Sequence, residues 1–235
     1  MKFKILTLFP EMFPGPFNHS IIGKALEKKK FHLETINIRD FSINKARTVD
    51  DTPFGGGAGM IMKPDILQNA LTFAKQGFKK NCKIFSLSPS GKKITQSFIK
   101  NLACSKEIIL ICGRYEGIDQ RFIDYNEIEE ISVGDYILSG GEIASFILID
   151  ACVRLIPEVL GNSESLRSES FHDCLLEYSQ YTKPSIWKKL KVPEVLLTGN
   201  HKKISDWRLK NSLEKTKKIR PDLYNLFVKE KKRKL

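Results

Sequence analysis

The sequence lacks the features that mark membrane, secreted and disulfide-stabilised proteins. No apolar run approaches the length of a membrane span, and Ile5–Phe9 is too short to form the core of a signal peptide. The 5 cysteines are odd in number, include no C-x-x-C pair and mostly lie beside apolar residues. This pattern favours reduced, buried thiols over a disulfide framework or a zinc site. We therefore expect a soluble, cytoplasmic protein with no membrane partner.

Several common catalytic motifs are absent as well. The chain contains no G-x-G-x-x-G and no Walker A sequence, and the run GGGAGM has Met60 where the last glycine of the first motif would stand. It contains no serine nucleophile elbow and no H-E-x-x-H. These absences argue against a Rossmann dinucleotide site and a P-loop. Because no ligand cluster identifies a metal site, the sequence does not indicate whether Mg²⁺ takes part.

Excess positive charge is confined to the last part of the chain. The net charge is +12, yet residues 1–180 carry 22 Lys+Arg against 22 Asp+Glu, whereas residues 181–235 carry 17 against 5. Such asymmetry indicates a neutral part joined to a basic part that meets a polyanion, and nucleic acid is the leading candidate. The alternative is a solvated, lysine-rich surface.

Strand and helix patterns alternate along the first two thirds of the chain. Apolar runs predict strands at 3–9, 33–38, 83–87, 108–112 and 131–133, and helical spacing predicts helices at 21–30, 64–74, 98–102 and 141–153. This alternation predicts an α/β fold with a mostly parallel sheet. The polar stretch GNSESLRSES predicts an interdomain linker, and the basic residues after it predict a small helical domain. The expected parts are 1–160, a linker at 161–175, and 176–235.

Two glycine-bounded loops follow buried strands between residues 107 and 142. Ile108–Cys112 ends at Gly113 and a polar loop, and Ile131–Val133 ends at Gly134, with Gly140–Gly141 shortly after. Glycine at the end of a strand lets the backbone approach a ligand closely. Either loop alone is typical of a tight turn, but together they predict a binding crevice at the strand ends. The long, glycine-rich connection 39–63 is predicted to be functional rather than a flexible linker.

Six segments together form a more specific pattern. They are, in order, LFPEMF (Leu8–Phe13), TVDDTPFGGGAGM (Thr48–Met60), LSPSG (Leu87–Gly91), CGRYEGID (Cys112–Asp119), VGDYILSGGE (Val133–Glu142) and LTGNH (Leu197–His201). This pattern resembles the bacterial tRNA (guanine-N1)-methyltransferase family, which modifies the guanosine immediately 3′ of the anticodon, position 37. The resemblance covers essentially the whole chain, although the C-terminal tail is somewhat shorter than in many members. It implies the SPOUT-type α/β fold, with the C-terminal part of the sheet domain tied in a trefoil knot and a small all-helical domain after it.

The resemblance also implies a cofactor, S-adenosylmethionine, held in the knot by backbone groups of three loops. Carried onto this chain, the cofactor-binding residues are Leu87, Ser88, Pro89, Gly91, Gly113, Tyr115, Glu116, Val133, Gly134, Asp135, Tyr136, Ile137, Leu138, Gly140 and Gly141. Backbone recognition accounts for the glycines, because N–H and C=O groups can read an adenine edge and a ribose. The family works as a homodimer with each active site at the interface, and we carry that expectation over.

Methyl transfer to N1 of guanine needs a base for the N1 proton and a cation for the charge that grows on the ring. The resemblance assigns the cation to Arg154 and the base to the linker position of Glu169, where the family usually has an aspartate. Asp173 is the reserve base, although a structural role suits it better; it would share a face with Glu169 if the segment were helical.

The resemblance further implies contacts to the RNA. Asp50 and Gly59 are expected to contact the target base, which must leave its stack to be reached. Asp173 is also expected on the substrate side, and Trp207 and Arg208 are expected to hold the tRNA with the basic residues around them. Arg114 is expected to contact either the cofactor or the dimer interface. The same two roles are open for Glu116.

Two alternatives remain open at this point. The first is a non-catalytic RNA-binding protein, such as a ribosome assembly factor that keeps the fold without the chemistry. The second is a methyltransferase of the same superfamily that acts on ribosomal RNA or a ribose oxygen. Cofactor binding separates the first from an enzyme, and the linker carboxylate separates the second from a guanine methyltransferase.

Overall fold

The structure is a computed structural model that describes residues 1–161 and 169–233. The chain divides into two compact units, Met1–Gly161 and Asn162–Leu235. Residues 162–168 of the predicted linker lie outside the described residues.

The first unit is built around a parallel sheet. Its strands are β1 (Lys2–Thr7), β2 (His32–Asn37), β3 (Asp50–Asp51), β4 (Ile61–Met62), β5 (Lys83–Lys93), β6 (Glu107–Cys112) and β7 (Glu129–Ser132). Its helices are α1 (Ser20–Glu27), α2 (Pro64–Lys75), α3 (Gln96–Ala103), α4 (Gln120–Tyr125) and α5 (Gly141–Val153). Five strands form the sheet, in the order β2-β1-β6-β5-β7 and all parallel, and β3 pairs with β4 separately. The predicted α/β fold with a mostly parallel sheet is confirmed.

The central strands are apolar on both faces because helices cover both sides of the sheet. On β6, Ile108 and Leu110 pack in one cluster with α1, α3 and α5, whereas Ile109 and Ile111 pack in another with α2 and α4. Successive side chains of a strand point to opposite faces. A strand buried on both faces therefore reads as a continuous apolar run, which is how β6 is recognisable in the sequence.

Strand β5 differs from the prediction, which ended it at Leu87 and placed a turn at 88–91. The strand continues to Lys93, but Leu87 and Lys92 both pair with Ile131 of β7. The four residues between them therefore leave the ladder as a bulge. Pro89, which has no N–H to donate, lies in this bulge and costs no ladder hydrogen bond.

The second unit contains helices and one hairpin. Its elements are a 3-10 turn at His172–Cys174, β8 (Ile186–Trp187), β9 (Leu190–Lys191), a 3-10 turn at Glu194–Leu197, α6 (His201–Ile219) and α7 (Pro221–Arg233). The β8–β9 pair departs from the predicted all-helical composition. Asn200 caps α6 by accepting a hydrogen bond from the Lys203 N–H, and Pro221 begins α7. None of the helices in the described ranges combines the length and apolar content that a membrane crossing requires.

Candidate functional site

A cavity of about 320 Å³ lies at the bulge of β5 and the carboxyl ends of β6 and β7. Loops at the carboxyl ends of neighbouring parallel strands converge there, where ligands usually bind in α/β sheets. The predicted cofactor residues that line it are Leu87, Ser88, Pro89, Gly113, Tyr115, Glu116, Val133, Gly134, Tyr136, Ile137, Leu138, Gly140 and Gly141. The structure thus brings loops that lie some fifty residues apart in the sequence together around one cavity.

Two of the predicted cofactor residues are not among those that line the cavity. A Cβ added to Gly91 would lie 2.4 Å from the backbone nitrogen of Ile131, so Gly91 lies against β7. The Asp135 side chain forms an ion pair with Lys93 at the surface.

A buried carboxylate stands beside the cavity, at the first turn of α5. Glu142 is fully buried and accepts a hydrogen bond of 2.7 Å from the Thr7 hydroxyl at the end of β1. Its other oxygen lies 2.9 Å from Nε of Arg114. Neither of these two atoms makes a well-aligned hydrogen bond within the described residues, so the contact is an ion pair held by charge. Glu142 therefore joins β1, the loop after β6 and the start of α5.

Arg114 is held on several sides and in turn supports the cavity wall. Its guanidinium lies 4.4 Å from the Phe9 ring centroid and donates to the Ser139 carbonyl at 3.1 Å. A Cβ on Gly140 would lie 2.3 Å from Arg114 Nε, so only glycine allows this approach. The backbone that lines the cavity at 139–141 rests directly on the Arg114 side chain.

The glycine-rich loop is a hairpin loop between β3 and β4, and its exit is attached to the loop after β6. The Glu116 N–H donates to the Met60 carbonyl at 2.9 Å, and the Met62 N–H donates to the Gly117 carbonyl at 2.9 Å. A Cβ on Gly59 would lie 2.4 Å from Glu116 Cγ, so the loop passes directly against a cavity residue. The predicted substrate residues Asp50 and Gly59 stand at the two ends of this loop.

Arg154 lies at the C-terminal end of α5 and is half-buried. Burial raises the pKa of the neighbouring Asp150 carboxyl, and the charge of Arg154 opposes this rise. Arg154 is not among the residues that line the cavity.

Glu169 and Asp173, the predicted base and its reserve, belong to the second unit. The segment is not helical as the shared-face hypothesis required, since Phe171, Asp173 and Cys174 have positive φ of 72°, 49° and 58°. The carbonyl of Glu169 accepts from the His172 N–H at 3.2 Å. The Asp173 carboxylate is largely exposed and lies 3.2 Å from Nδ1 of His172. Asp173 thus has a local partner in His172.

Trp207 and Arg208, the predicted RNA contacts, lie on α6. Trp207 meets Tyr181 edge to face, with ring centroids 6.2 Å apart, and Arg208 lies over the Tyr178 ring at 4.7 Å. Both side chains are therefore oriented by aromatic neighbours.

All five cysteines are free thiols. Two of them, Cys112 and Cys152, are buried, so the prediction of buried thiols is correct for these two. Burial raises the pKa of Cys152 to about 12 and that of Cys112 well above its ordinary value. Cys104 is exposed, and Cys82 and Cys174 are half-buried. No group of three His, Cys, Asp or Glu side chains in the described ranges could hold a metal ion.

Sequence reasoning missed Thr7 and Glu142. One signal for Glu142 existed, because it is an acidic residue in the first turn of an otherwise apolar helix, directly after two glycines. For Thr7 there was none, because its partner stands 135 positions away.

Fold and cavity together define an α/β protein with a candidate ligand site beside its parallel sheet. The sequence matches the family model described as tRNA (Guanine-1)-methyltransferase TrmD over residues 1–226. It is 52% identical over 223 residues to a tRNA (guanine-N(1)-)-methyltransferase of Wolbachia pipientis subsp. Culex pipiens (strain wPip), covering 94% of this chain and 96% of that protein.

Two further relatives with the same name are similar to this chain to nearly the same degree. The protein of Pelagibacter ubique (strain HTCC1062) is 51% identical over 226 residues, which are 96% of this chain and 98% of the relative. That of Rhodospirillum rubrum is 50% identical over 224 residues, which are 95% of this chain and 92% of the relative. The chain belongs to the tRNA (guanine-1)-methyltransferase family, which confirms the resemblance stated from its motifs.

Proposed function

We propose that this protein transfers a methyl group from S-adenosylmethionine to N1 of the guanosine immediately 3′ of the anticodon, position 37, in tRNA. The observation that carries the proposal is the cavity at the bulge of β5 and the ends of β6 and β7, which is lined by most of the predicted cofactor residues. Membership of the tRNA (guanine-1)-methyltransferase family over residues 1–226 supports the choice of substrate and reaction.

The residues around the cavity suit S-adenosylmethionine. A volume of about 320 Å³ lies within the roughly 300–1,000 Å³ range of small-molecule sites. Apolar side chains such as Leu87 and Leu138 can pack against an adenine, and backbone groups beside Gly113 and Gly140 can pair with its edge. The Glu116 carboxylate provides a negative charge for a cationic ligand.

When bound, S-adenosylmethionine supplies a methyl group that its sulfonium already activates, so the protein's task is alignment and proton removal. We assign removal of the guanine N1 proton to the Glu169 carboxylate. Arg154 stabilises the negative charge that develops on O6 and N1 as this proton leaves. Glutamate can perform the same transfer as the family's aspartate, with one methylene more of reach.

The target base is received beside the cavity by the loop between β3 and β4. Asp50 and Gly59 stand at its ends, and its backbone is hydrogen-bonded to the loop that carries Glu116. This attachment supports the assignment, because a base held by the loop would lie next to the cofactor. The basic residues of the second unit, with Trp207 and Arg208, bind the tRNA through phosphate contacts and shape.

We further propose that the protein is a cytoplasmic homodimer with each active site at the interface and with the family's trefoil knot in its first unit. The exposed isoleucines of α5, Ile143 and Ile147, stand one turn apart and support a partner on that face. The hydrogen bond of 3.0 Å from the Gly141 N–H to the Gly113 carbonyl supports the knot, since the chain after β7 passes against the chain after β6.

The test is methyl transfer from labelled S-adenosylmethionine to a tRNA transcript that has guanosine after the anticodon. Digestion and mass spectrometry should identify 1-methylguanosine at that position. Glu169→Gln should lower kcat at least about 100-fold, as expected for loss of a general base, and Glu169→Asp should restore most of the rate. Arg154→Ala should also lower kcat strongly.

Asp173→Asn is the matched control, because it removes a neighbouring exposed carboxylate and should leave kcat unchanged. If Asp173→Asn is the inactive variant instead, Glu169 is not the base. If the wild type binds the cofactor but never modifies that guanosine, the proposed target is wrong.

A further inference from the structure

A second cavity of about 320 Å³ lies within the second unit. Its lining combines apolar side chains, Val192 and Ile204 among them, with the rings of Tyr178 and Tyr181 and the guanidinium of Arg208. A site of this size with an aromatic and apolar lining and a nearby cation has the composition of a small-molecule or nucleobase pocket. The proposed methyl-transfer chemistry does not use this cavity.

The aromatic rings of this cavity are held in place while one of them stays open to solvent. Arg208 lies over the Tyr178 ring at 4.7 Å, and Trp207 packs edge to face on Tyr181. Tyr181 nevertheless remains 49% exposed as a residue. A ring that is oriented by a neighbour and still exposed is prepared to stack on a ligand.

A basic hairpin rises from the rim of the same cavity. Ser185 and Val192 both line the cavity and are joined by a hydrogen bond of 2.9 Å that closes the β8–β9 hairpin. Its two turn residues, Lys188 and Lys189, have φ of 46° and 67°, a conformation that Asn-Gly adopts most readily. Trp187 is exposed and lies under the Lys188 ammonium at 4.9 Å. The turn thus accepts backbone strain and presents two cations and an aromatic ring to solvent.

We propose that the cavity binds one unpaired base of the RNA substrate, stacked on Tyr181, and that the hairpin 185–192 contacts the phosphates beside that base. Unpaired RNA bases are recognised by stacking on aromatic side chains and by hydrogen bonds to their edges. The excess of 17 Lys+Arg over 5 Asp+Glu in residues 181–235 favours a polyanion over an apolar peptide as the occupant. This inference rests on the proposed function, in that RNA is the substrate.

The first measurement is the affinity of the full-length protein for a tRNA transcript, by filter binding without cofactor. Tyr181→Ala should weaken binding roughly tenfold, the size of one lost stacking contact, while Tyr181→Phe should bind as the wild type does. Tyr125→Ala is the matched control, because it removes an exposed tyrosine of the first unit and should leave binding unchanged.

The second measurement identifies the base and leaves the protein intact. Ultraviolet crosslinking followed by mass spectrometry should attach one nucleotide to the peptides that carry Tyr181 or Trp207. A transcript that is abasic at that nucleotide should bind the wild type roughly tenfold more weakly. Tyr181→Ala should then show no further loss on the abasic transcript, because both changes remove the same contact.

Three results would overturn the proposed base-binding cavity. The first is equal RNA affinity of Tyr181→Ala and Tyr125→Ala, and the second is additive losses of affinity when Tyr181→Ala is combined with the abasic transcript. The third is a change in the oligomeric mass of Tyr181→Ala while its RNA affinity stays that of the wild type. The last result would make the cavity a protein contact. Failure of the proposed function looks different, since the wild type would then bind tRNA with the same Tyr181 dependence but would form no 1-methylguanosine.

Discussion

At the scale of single residues, the most consequential contact joins the buried carboxylate of Glu142 to the partly buried guanidinium of Arg114 beside the cavity. Glu142 has no exposed surface, and the Arg114 side chain is 18% exposed. Two charges removed from water are stable only while they face each other. The pair lies under Gly140, so its geometry is transmitted directly to the backbone that lines the cavity.

Glu142→Gln should lower the free energy of unfolding by about 3 kcal/mol, because it leaves the Arg114 charge without its partner. It should also raise the KM for S-adenosylmethionine, because the support under residues 139–141 is loosened. Urea unfolding at neutral pH measures the first effect and steady-state kinetics the second. Glu129→Gln, at an exposed carboxylate of β7, is the control, and equal stability of the two variants would contradict the prediction.

At the scale of elements, α4 is a six-residue helix whose beginning depends on one side chain. The Asp119 carboxylate caps it by accepting from the Arg121 N–H at 3.0 Å and from the Arg121 guanidinium at 2.9 and 2.7 Å. The Asp119 N–H also donates to the Met62 carbonyl at 3.2 Å. Asp119 therefore begins α4 through its side chain and attaches the loop after β6 to β4 through its backbone.

This cap should make part of the stability dependent on pH. Hydrogen bonds from the Arg121 side chain lower the pKa of Asp119, and its partial burial opposes them. A lowered pKa stabilises the fold above the unfolded value of about 3.9, and this contribution is lost as the pH falls through the folded value. Asp119→Asn keeps the cap and removes the charge, so its difference from the wild type should shrink between about pH 5 and about pH 3.

Urea unfolding of wild type, Asp119→Asn and Asp119→Ala at both ends of that range measures this effect. Asp119→Ala should cost about 1 kcal/mol at neutral pH through loss of the cap. If the free energies of unfolding of wild type and Asp119→Asn differ by the same amount at both pH values, the Arg121 contact does not make the stability depend on pH.

At the scale of the whole molecule, α5 carries the apolar face that we assign to the proposed homodimer. The helix is apolar almost all round, with Leu148, Ile149 and Cys152 fully buried on one side and Ile143 and Ile147 exposed on the other. A helix that is apolar all round is normally buried all round. The exposed isoleucines of this face therefore support the proposed dimer contact.

Ile147→Lys should convert the proposed dimer into a monomer, because it places a charge in the apolar face. Light scattering after size exclusion should show half the mass, circular dichroism should be unchanged, and methyl transfer should be lost. Ile43→Lys serves as the control, since Ile43 is 93% exposed on a loop and its substitution should alter neither mass nor activity. A dimeric and active Ile147→Lys protein would exclude this face as the interface.

The parallel sheet could be predicted from the sequence because its signals are local. β6 reads as a run of apolar, β-branched residues, and α2 begins at Pro64 and repeats apolar residues at helical spacing. The crevice was predictable too, since Gly113 and Gly134 directly follow buried strands. Helix α4 was missed, because six residues with Phe122 and Ile123 as their buried pair are too few for a periodic pattern.

The sequence by itself thus determined the fold class, the family and many of the residues that line the cavity, because these depend on short motifs and on apolar periodicity. Only the tertiary structure decided that β5 continues past its bulge, since the pairing of Lys92 with Ile131 belongs to another strand. Only the tertiary structure joined Thr7 and Arg114 to Glu142 and formed the cavity beside Tyr181. Contacts between residues far apart in the chain leave no local pattern, because the fold alone brings their atoms within range of one another.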